Sequence, residues 1–298
     1  MSRKNATCRF LGLVGLAMIS LLLQTSATYT QDGHAYTWDT IDPPGSTLTI
    51  ATAINPEGHI VGRWEGPDGK RRGFLLRDGM YFAIEPPGAT FTNANGINPR
   101  GDISGVYRDG AGKQHGWLLQ DGVFVDVDVP GAQRTGGSEL NPQGQMVGGY
   151  VDANGAQRGY LRDSRGFTLI DFPGALSTTA LGINPRGDAV GLFLDPDGRP
   201  HGFLVRSGVF ESIDVPGAAL TEEAGSINAR GDIVGGFRDT TSKTRGFLLR
   251  DGLFTTLDFP GAIFTFPGGI NSRGQIVGAY RDATGRYHGF LATPEHGN

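Results

Sequence analysis

The chain has 298 residues, 38% hydrophobic and 19% charged, with 26 Lys+Arg against 30 Asp+Glu and a formal net charge of −4. A mildly acidic chain without a basic run is not a general binder of nucleic acid or anionic membrane, because both need clustered Lys and Arg against phosphate. Its one cysteine, Cys8, can close no disulfide within the chain, so stability has to come from packing.

The first element is a leader. Arg3, Lys4 and Arg9 make a basic start, Leu11 to Leu23 an apolar run, and Thr25-Ser26-Ala27 a small-residue exit. That order predicts a signal peptide over residues 1–27 with cleavage after Ala27, and hence a secreted protein, extracellular or periplasmic. The apolar run falls short of the roughly 18–20 residues of a spanning helix, so an uncleaved anchor is the weaker alternative. Cleavage would remove the cysteine and three positive charges, leaving no thiolate for catalysis or zinc.

From residue 44 a unit of about 43 residues repeats six times. Its Pro-Gly mark falls at Pro44, Pro87, Pro130, Pro173, Pro216 and Pro260. An Asn-led turn keeps the same beat at Asn55, Asn98, Asn141, Asn184, Asn228 and Asn271. Within the copy from Pro216 to Phe259, runs rich in β-branched and aromatic residues alternate with Gly, Asn and Asp clusters, and no apolar period of 3.6 residues appears. Four short strands in roughly 40–45 residues is the size of one propeller blade.

The ends settle how the units join. Residues 35–45 align with the fourth strand at 251–261, whereas the chain stops after a third strand at 287–294. The expectation is therefore all-β: residues 28–298 form one six-bladed β-propeller of 24 strands, with the N-terminal strand closing the last blade. An open stack would not need complementary ends.

Recurring residues are read first as scaffold. Glycines at 62, 105, 148, 191, 235 and 278 suggest close approach by a neighbouring ring. Aromatics at 38, 81, 124, 167, 210 and 254 read as inter-blade core. The carboxylates Asp42, Glu85, Asp128, Asp171, Asp214 and Asp258 are expected to accept hydrogen bonds from their own turn. The threonines at 49, 92, 135, 178, 221 and 265 are expected to form ST-turns or ring the channel mouth. Arg72, His115, Arg158, His201, Arg245 and His288 alternate before a Gly-aromatic pair, each able to donate to a carboxylate on an adjoining strand. Arg-Gly-Asp at 100–102, 186–188 and 230–232 reads as turn chemistry with solvated charges rather than an adhesion signal.

Function in a repeat is sought where one copy departs from its siblings. Arg134 and Glu139 occur only in the third copy, Glu222 and Glu223 accompany a one-residue insertion in the fifth, Asn93 and Asn95 belong to the second, and Phe264 and Phe266 to the last. Gathered at the axial mouth, they would make a polar, acidic cup with aromatics, fit for a sugar or small molecule. No nucleophile elbow, zinc helix, phosphate loop or dinucleotide fingerprint occurs, so neither metal nor cofactor is implied.

The consensus GINPRGDIVGxYxDxxGxxHGFLLxDGxFxxIDxPGA resembles the HAF-type extracellular repeat of bacterial secreted proteins, over Ala35 to Ala292. The odd-numbered copies depart by carrying Arg for His. The resemblance implies a bacterial, exported, propeller-like protein and carries over no catalytic residue. The leading expectation is a monomeric, non-catalytic binding module for a glycan or an extracellular protein. The rival is a hydrolase or lyase, which would need Arg134, Glu139, Glu222 and Glu223 to cluster within about 5–10 Å; a structural envelope component needs neither arrangement.

Overall fold

The computed structural model describes residues 27–31 and 34–295, with side chains from Tyr36 onward. All its regular structure is β. The chain opens with β1 (Ala27–Gln31) and β2 (His34–Ile41). Blade one is β3 (Leu48–Ile54), β4 (Ile60–Glu65), β5 (Arg71–Arg77) and β6 (Met80–Ile84). Blade two is β7 (Phe91–Ile97), β8 (Ile103–Arg108), β9 (Gln114–Gln120) and β10 (Val123–Val127). Blade three is β11 (Arg134–Leu140), β12 (Met146–Val151), β13 (Gln157–Asp163) and β14 (Gly166–Ile170). Blade four is β15 (Ser177–Ile183), β16 (Ala189–Leu194), β17 (Pro200–Arg206) and β18 (Val209–Ile213). Blade five is β19 (Leu220–Ile227), β20 (Ile233–Arg238), β21 (Thr244–Arg250) and β22 (Leu253–Leu257). Blade six takes β23 (Phe264–Ile270), β24 (Ile276–Arg281) and β25 (Tyr287–Pro294) from the end of the chain.

The ring is a six-bladed β-propeller and closes as expected. β2 pairs antiparallel with β25, from Tyr36 opposite Pro294 to Ile41 opposite Gly289. One strand was not foreseen: β1 adds outside β2, with Ala27 opposite Trp38 and Gln31 opposite His34. Blade six therefore has five strands. The Asp32-Gly33 dipeptide between β1 and β2 is a strong short-range hairpin signal that the repeat alignment passed over. The expected signal peptide lies outside the described residues except for Ala27, which opens β1.

The blades are held face to face by apolar packing. Ala53 and Val61 of blade one pack with Ala94, Ile103 and Trp117 of blade two. Val190 and Leu204 of blade four do the same with Ala224, Ile233 and Phe247 of blade five. The second-strand glycines make this possible. A Cβ on Gly191 would stand 2.0 Å from the Thr179 carbonyl oxygen and 2.7 Å from the Phe203 ring. Trp38 joins the same kind of cluster, against Phe259 and Phe290.

The marker asparagine does two jobs. Its Oδ1 accepts from the backbone of its own turn, as Asn141 does from Gln143 N and Gln145 N. Its Nδ2 donates to the carbonyl of the equivalent Asn in the next blade: Asn55 to Asn98, Asn98 to Asn141, Asn141 to Asn184, Asn228 to Asn271, and Asn271 back to Asn55, at 3.0–3.3 Å. At the remaining junction Asn184 donates to Asp188, and Arg186 Nη1 crosses to the Ala229 carbonyl at 2.8 Å.

Three expectations about recurring residues are corrected. The carboxylates before Pro-Gly pair with the third-strand cation, as in His115–Asp128 (2.7 Å), Arg158–Asp171 (2.5 Å), His201–Asp214 (2.7 Å) and His288–Asp42 (2.6 Å). All three histidines also reach a hairpin Asp through Nε2: Asp109, Asp195 and Asp282. The threonines do not ring a channel. They are buried, and Thr135, Thr178, Thr221 and Thr265 accept the backbone N–H six residues earlier, closing the Pro-Gly loop. The aspartates of Arg-Gly-Asp are buried rather than solvated; Asp232, at 5% exposure, receives Asn228, Arg230 and Arg250. Burial leaves them nothing to offer an adhesion receptor.

Two substitutions test this packing. Gly191→Ala should cost at least about 1–3 kcal/mol from overpacking, whereas Gly110→Ala, with open space around its Cβ, should leave the melting temperature nearly unchanged; equal melting temperatures would remove the close-approach argument. Asn141→Ala strips a buried turn cap and an inter-blade bond together, and denaturant unfolding should show a loss of roughly 1–3 kcal/mol.

Candidate functional site

The inner strands β3, β7, β11, β15, β19 and β23 surround the axis, and each ladder slips at the same level. The slips lie between Ala51 and Ala53, Ala94 and Gly96, Gly137 and Leu140, Ala180 and Gly182, Ala224 and Ser226, and Pro267 and Gly269. A bulge sets extra backbone against its partner strand and re-aims side chains. Here it delivers Thr52, Asn95, Ser138, Leu181, Gly225 and Gly268 to an axial cavity of about 590 Å³.

The next residues around the ring nearly fill the axis. A Cβ on Gly96 would lie 2.7 Å from Glu139 Cα, one on Gly182 2.8 Å from Ser226 Cα, and one on Gly269 2.8 Å from Ala53 Cα. Glu139 is the one carboxylate at this level. It accepts from Ile183 N (3.0 Å) in blade four and from Ser226 Oγ (3.1 Å) in blade five. Its side chain therefore spans the axis and plugs it. Burial outweighs those two hydrogen bonds and pushes its carboxyl up to about 8.

The cavity lining mixes two kinds of group. Leu48, Ile50, Phe264, Phe266 and Tyr287 make it apolar and aromatic. Phe264 and Phe266 lie nearly parallel, 6.0 Å between centroids at 12°, and Tyr287 meets Phe264 edge-on at 5.5 Å. Phe266 is seated over Gly236, where a Cβ would come within 2.2 Å of the ring. The polar groups are Arg63, Arg71, Asn93, Asn95 and Glu223. Asn95 is satisfied by the Gly137 carbonyl at 2.7 Å, and Thr52 by Ala94 O at 2.6 Å.

Others are left open. Arg63 Nε, Arg71 Nε and Asn93 Oδ1 are buried without a hydrogen-bond partner. Arg71 keeps an ion pair to Glu65 at 3.8 Å and lies over the Phe91 ring at 5.2 Å. Arg63 makes no hydrogen bond or ion pair among the described residues. Burial, then the like charge of Arg71, lowers its guanidinium to about 10, and Glu223 pulls the other way. Glu223 is pushed up to about 7 by burial and then by Glu222, opposed by Arg63.

Of the residues singled out from sequence, Asn93, Asn95, Glu223, Phe264 and Phe266 come together here. The other three do not line the cavity. Arg134 is exposed at the start of β11. Glu222, the inserted residue, turns to Arg238 (2.9 Å) and Thr244 (3.2 Å). Glu139 is held below in the plug. Arg63 and Arg71 lie on the second and third strands of blade one, β4 and β5, outside the inner-strand column in which the sequence signal was read. Aligned copies hold Val106, Gly149, Leu192, Gly236 and Ala279 where blade one has Arg63, so the same test on the second strand would have found it.

No protein-family model matches the chain, and no curated protein matches it. Among solved structures it is similar to TolB from Acinetobacter baumannii, at 17% identity and TM-score 0.59, covering 84% of this chain and 65% of that one. It is also similar to AofleA from Arthrobotrys oligospora, at 11% identity and TM-score 0.55, covering 90% and 86%. The chain thus spans less than two thirds of the TolB chain. At these identities the likeness is one of fold.

The plug makes a sign-definite prediction. With the Glu139 carboxyl near 8, the folded protein keeps a proton that the unfolded chain releases near 4.5, so this group lowers stability as pH rises across that window. Glu139→Gln should match the parent at pH 5 and melt several degrees higher at pH 9. Parallel pH profiles would show that Glu139 is not held as described.

Proposed function

We propose that the protein is a secreted, monomeric, non-catalytic binding module of the HAF-type repeat kind, holding a glycan-sized ligand in the axial cavity. The observation that carries this reading is a cavity of about 590 Å³ whose lining combines aromatic rings with buried polar atoms that lack partners. That volume falls within the roughly 300–1,000 Å³ of small-ligand sites. Sugar rings offer what both kinds of lining group ask for, an apolar face for the aromatics and hydroxyls for Asn93. Binding is favoured over two-carboxylate hydrolysis because Glu223 lines the cavity without a second carboxylate beside it there, Glu139 being held by two hydrogen bonds and Glu222 by an ion pair. The bacterial, exported origin is carried by the repeat consensus and the leader-like N-terminus.

Thermal unfolding against a panel of oligosaccharides tests the reading. A ligand at 100 times its dissociation constant should stabilise by about 2.7 kcal/mol, and Phe266→Ala should weaken it by roughly 1 kcal/mol or more through the lost aromatic contact. A bound ligand indifferent to Phe266→Ala would place the site elsewhere on the ring. A flat panel would turn the reading toward an extracellular protein partner.

A further inference from the structure

Resting on that reading, we infer that the ligand is an acidic sugar, a uronate whose carboxylate is received by Arg63 with Arg71 beside it. Arg63 is half-buried with its Nε shut off from water, and the usual partner for such a guanidinium is a carboxylate in fork geometry. Arg63 has none. Its Nε is buried without an acceptor, and no described residue accepts from or pairs with its guanidinium. Such a group costs folding free energy unless something supplies the missing charge.

The nearest intrinsic candidate does not supply it. Glu223 shares the cavity, yet it forms no ion pair with Arg63 among the described residues, and burial with the Glu222 charge biases it toward the neutral form around neutral pH. Arg71 adds a second positive charge on the same lining, its Nε equally open. The result is a cavity whose acidic residue is the easier one to neutralise and whose Arg63 is left unmatched, while Arg71 keeps Glu65 at 3.8 Å. A neutral sugar would satisfy Asn93 and lie against Phe264 and Phe266, but it would leave Arg63 unpaired. A uronate satisfies both. No other blade repeats the arrangement, since Arg63 and Arg71 stand where the aligned copies carry no charge.

The test is titration calorimetry at pH 7 on the intact protein with digalacturonate, its dimethyl ester, cellobiose and benzoate. The acid should bind at least about tenfold more tightly than its ester, as expected for charge-assisted hydrogen bonds. Arg63→Gln should close that gap by weakening the acid at least about tenfold and the ester less, and Glu223→Gln should widen it by tightening the acid more than the ester. Equal binding of acid and ester by the parent would overturn the inference while the glycan reading stands. Binding of benzoate in preference to every sugar would overturn both, as would no binding by any of the four. Should Arg63→Gln fail to fold, Glu223→Gln decides: unchanged affinity for the acid would overturn the inference.

Discussion

The ring depends on a hydrogen bond from one side chain to the next blade's main chain. Each blade buries its two faces against its neighbours, so every junction of the circle contributes to its stability. The marker asparagines fix where neighbours meet. Their Oδ1 shapes the turn and at five of the six junctions their Nδ2 reaches the equivalent carbonyl one repeat onward, with Asn271 returning to Asn55 across the chain ends and Arg186 bridging the sixth. That belt sets inter-blade register at one level of the axis. Packing of Trp117, Phe203, Phe247 and Phe290 over second-strand glycines fixes the spacing at another. The cavity is what remains between these two constraints once the inner strands bulge.

Much of this was legible in the residues because repetition is a strong signal. Six copies of an Asn, a glycine and an aromatic at fixed places can only describe equivalent positions, and complementary ends can only describe closure. Legibility failed where a residue acts through distance rather than type. Nothing in a linear pattern says that Thr135 bonds a backbone N–H six residues back, or that the aspartate of Arg-Gly-Asp is buried under two arginines. The candidate site divides in the same way. Asn93 and Phe266 were found because they break their column on an inner strand. Glu222 broke its column too, but the insertion turned it out toward Arg238. Arg63 and Arg71 sit on β4 and β5 and reach the axis by the length of their side chains, which a strand-by-strand reading does not measure.

The electrostatics of the axis follow from its depth. Carboxylates there are pushed toward neutrality and a guanidinium toward release of its proton, since desolvation penalises every charged form. What separates them is company. Glu139 has two donors, Asn95 has a carbonyl, and Arg63 has neither hydrogen bond nor close counter-ion among the described residues. In a fold that otherwise pairs its third-strand cations in blade after blade, an arginine without a partner marks the point where the scaffold stops and a purpose begins.

The alternation of Arg and His before the Gly-aromatic pair has a consequence of its own. It is the pattern that a pair of blades copied three times would leave, and a molecule made of three identical pairs would show an axis the same from three directions. Such a molecule would close, pack and stitch itself as this one does. It would have no orientation to impose on a guest. Blade one's arginines, blade two's asparagines, blade five's extra residue and blade six's phenylalanines are thus divergences that leave the ring's mechanics untouched and give its centre a handed, one-sided interior. Selection acting on such a chain is free to rewrite the centre one blade at a time, because the parts that hold the circle and the parts that face inward are carried by different residues of the same repeat.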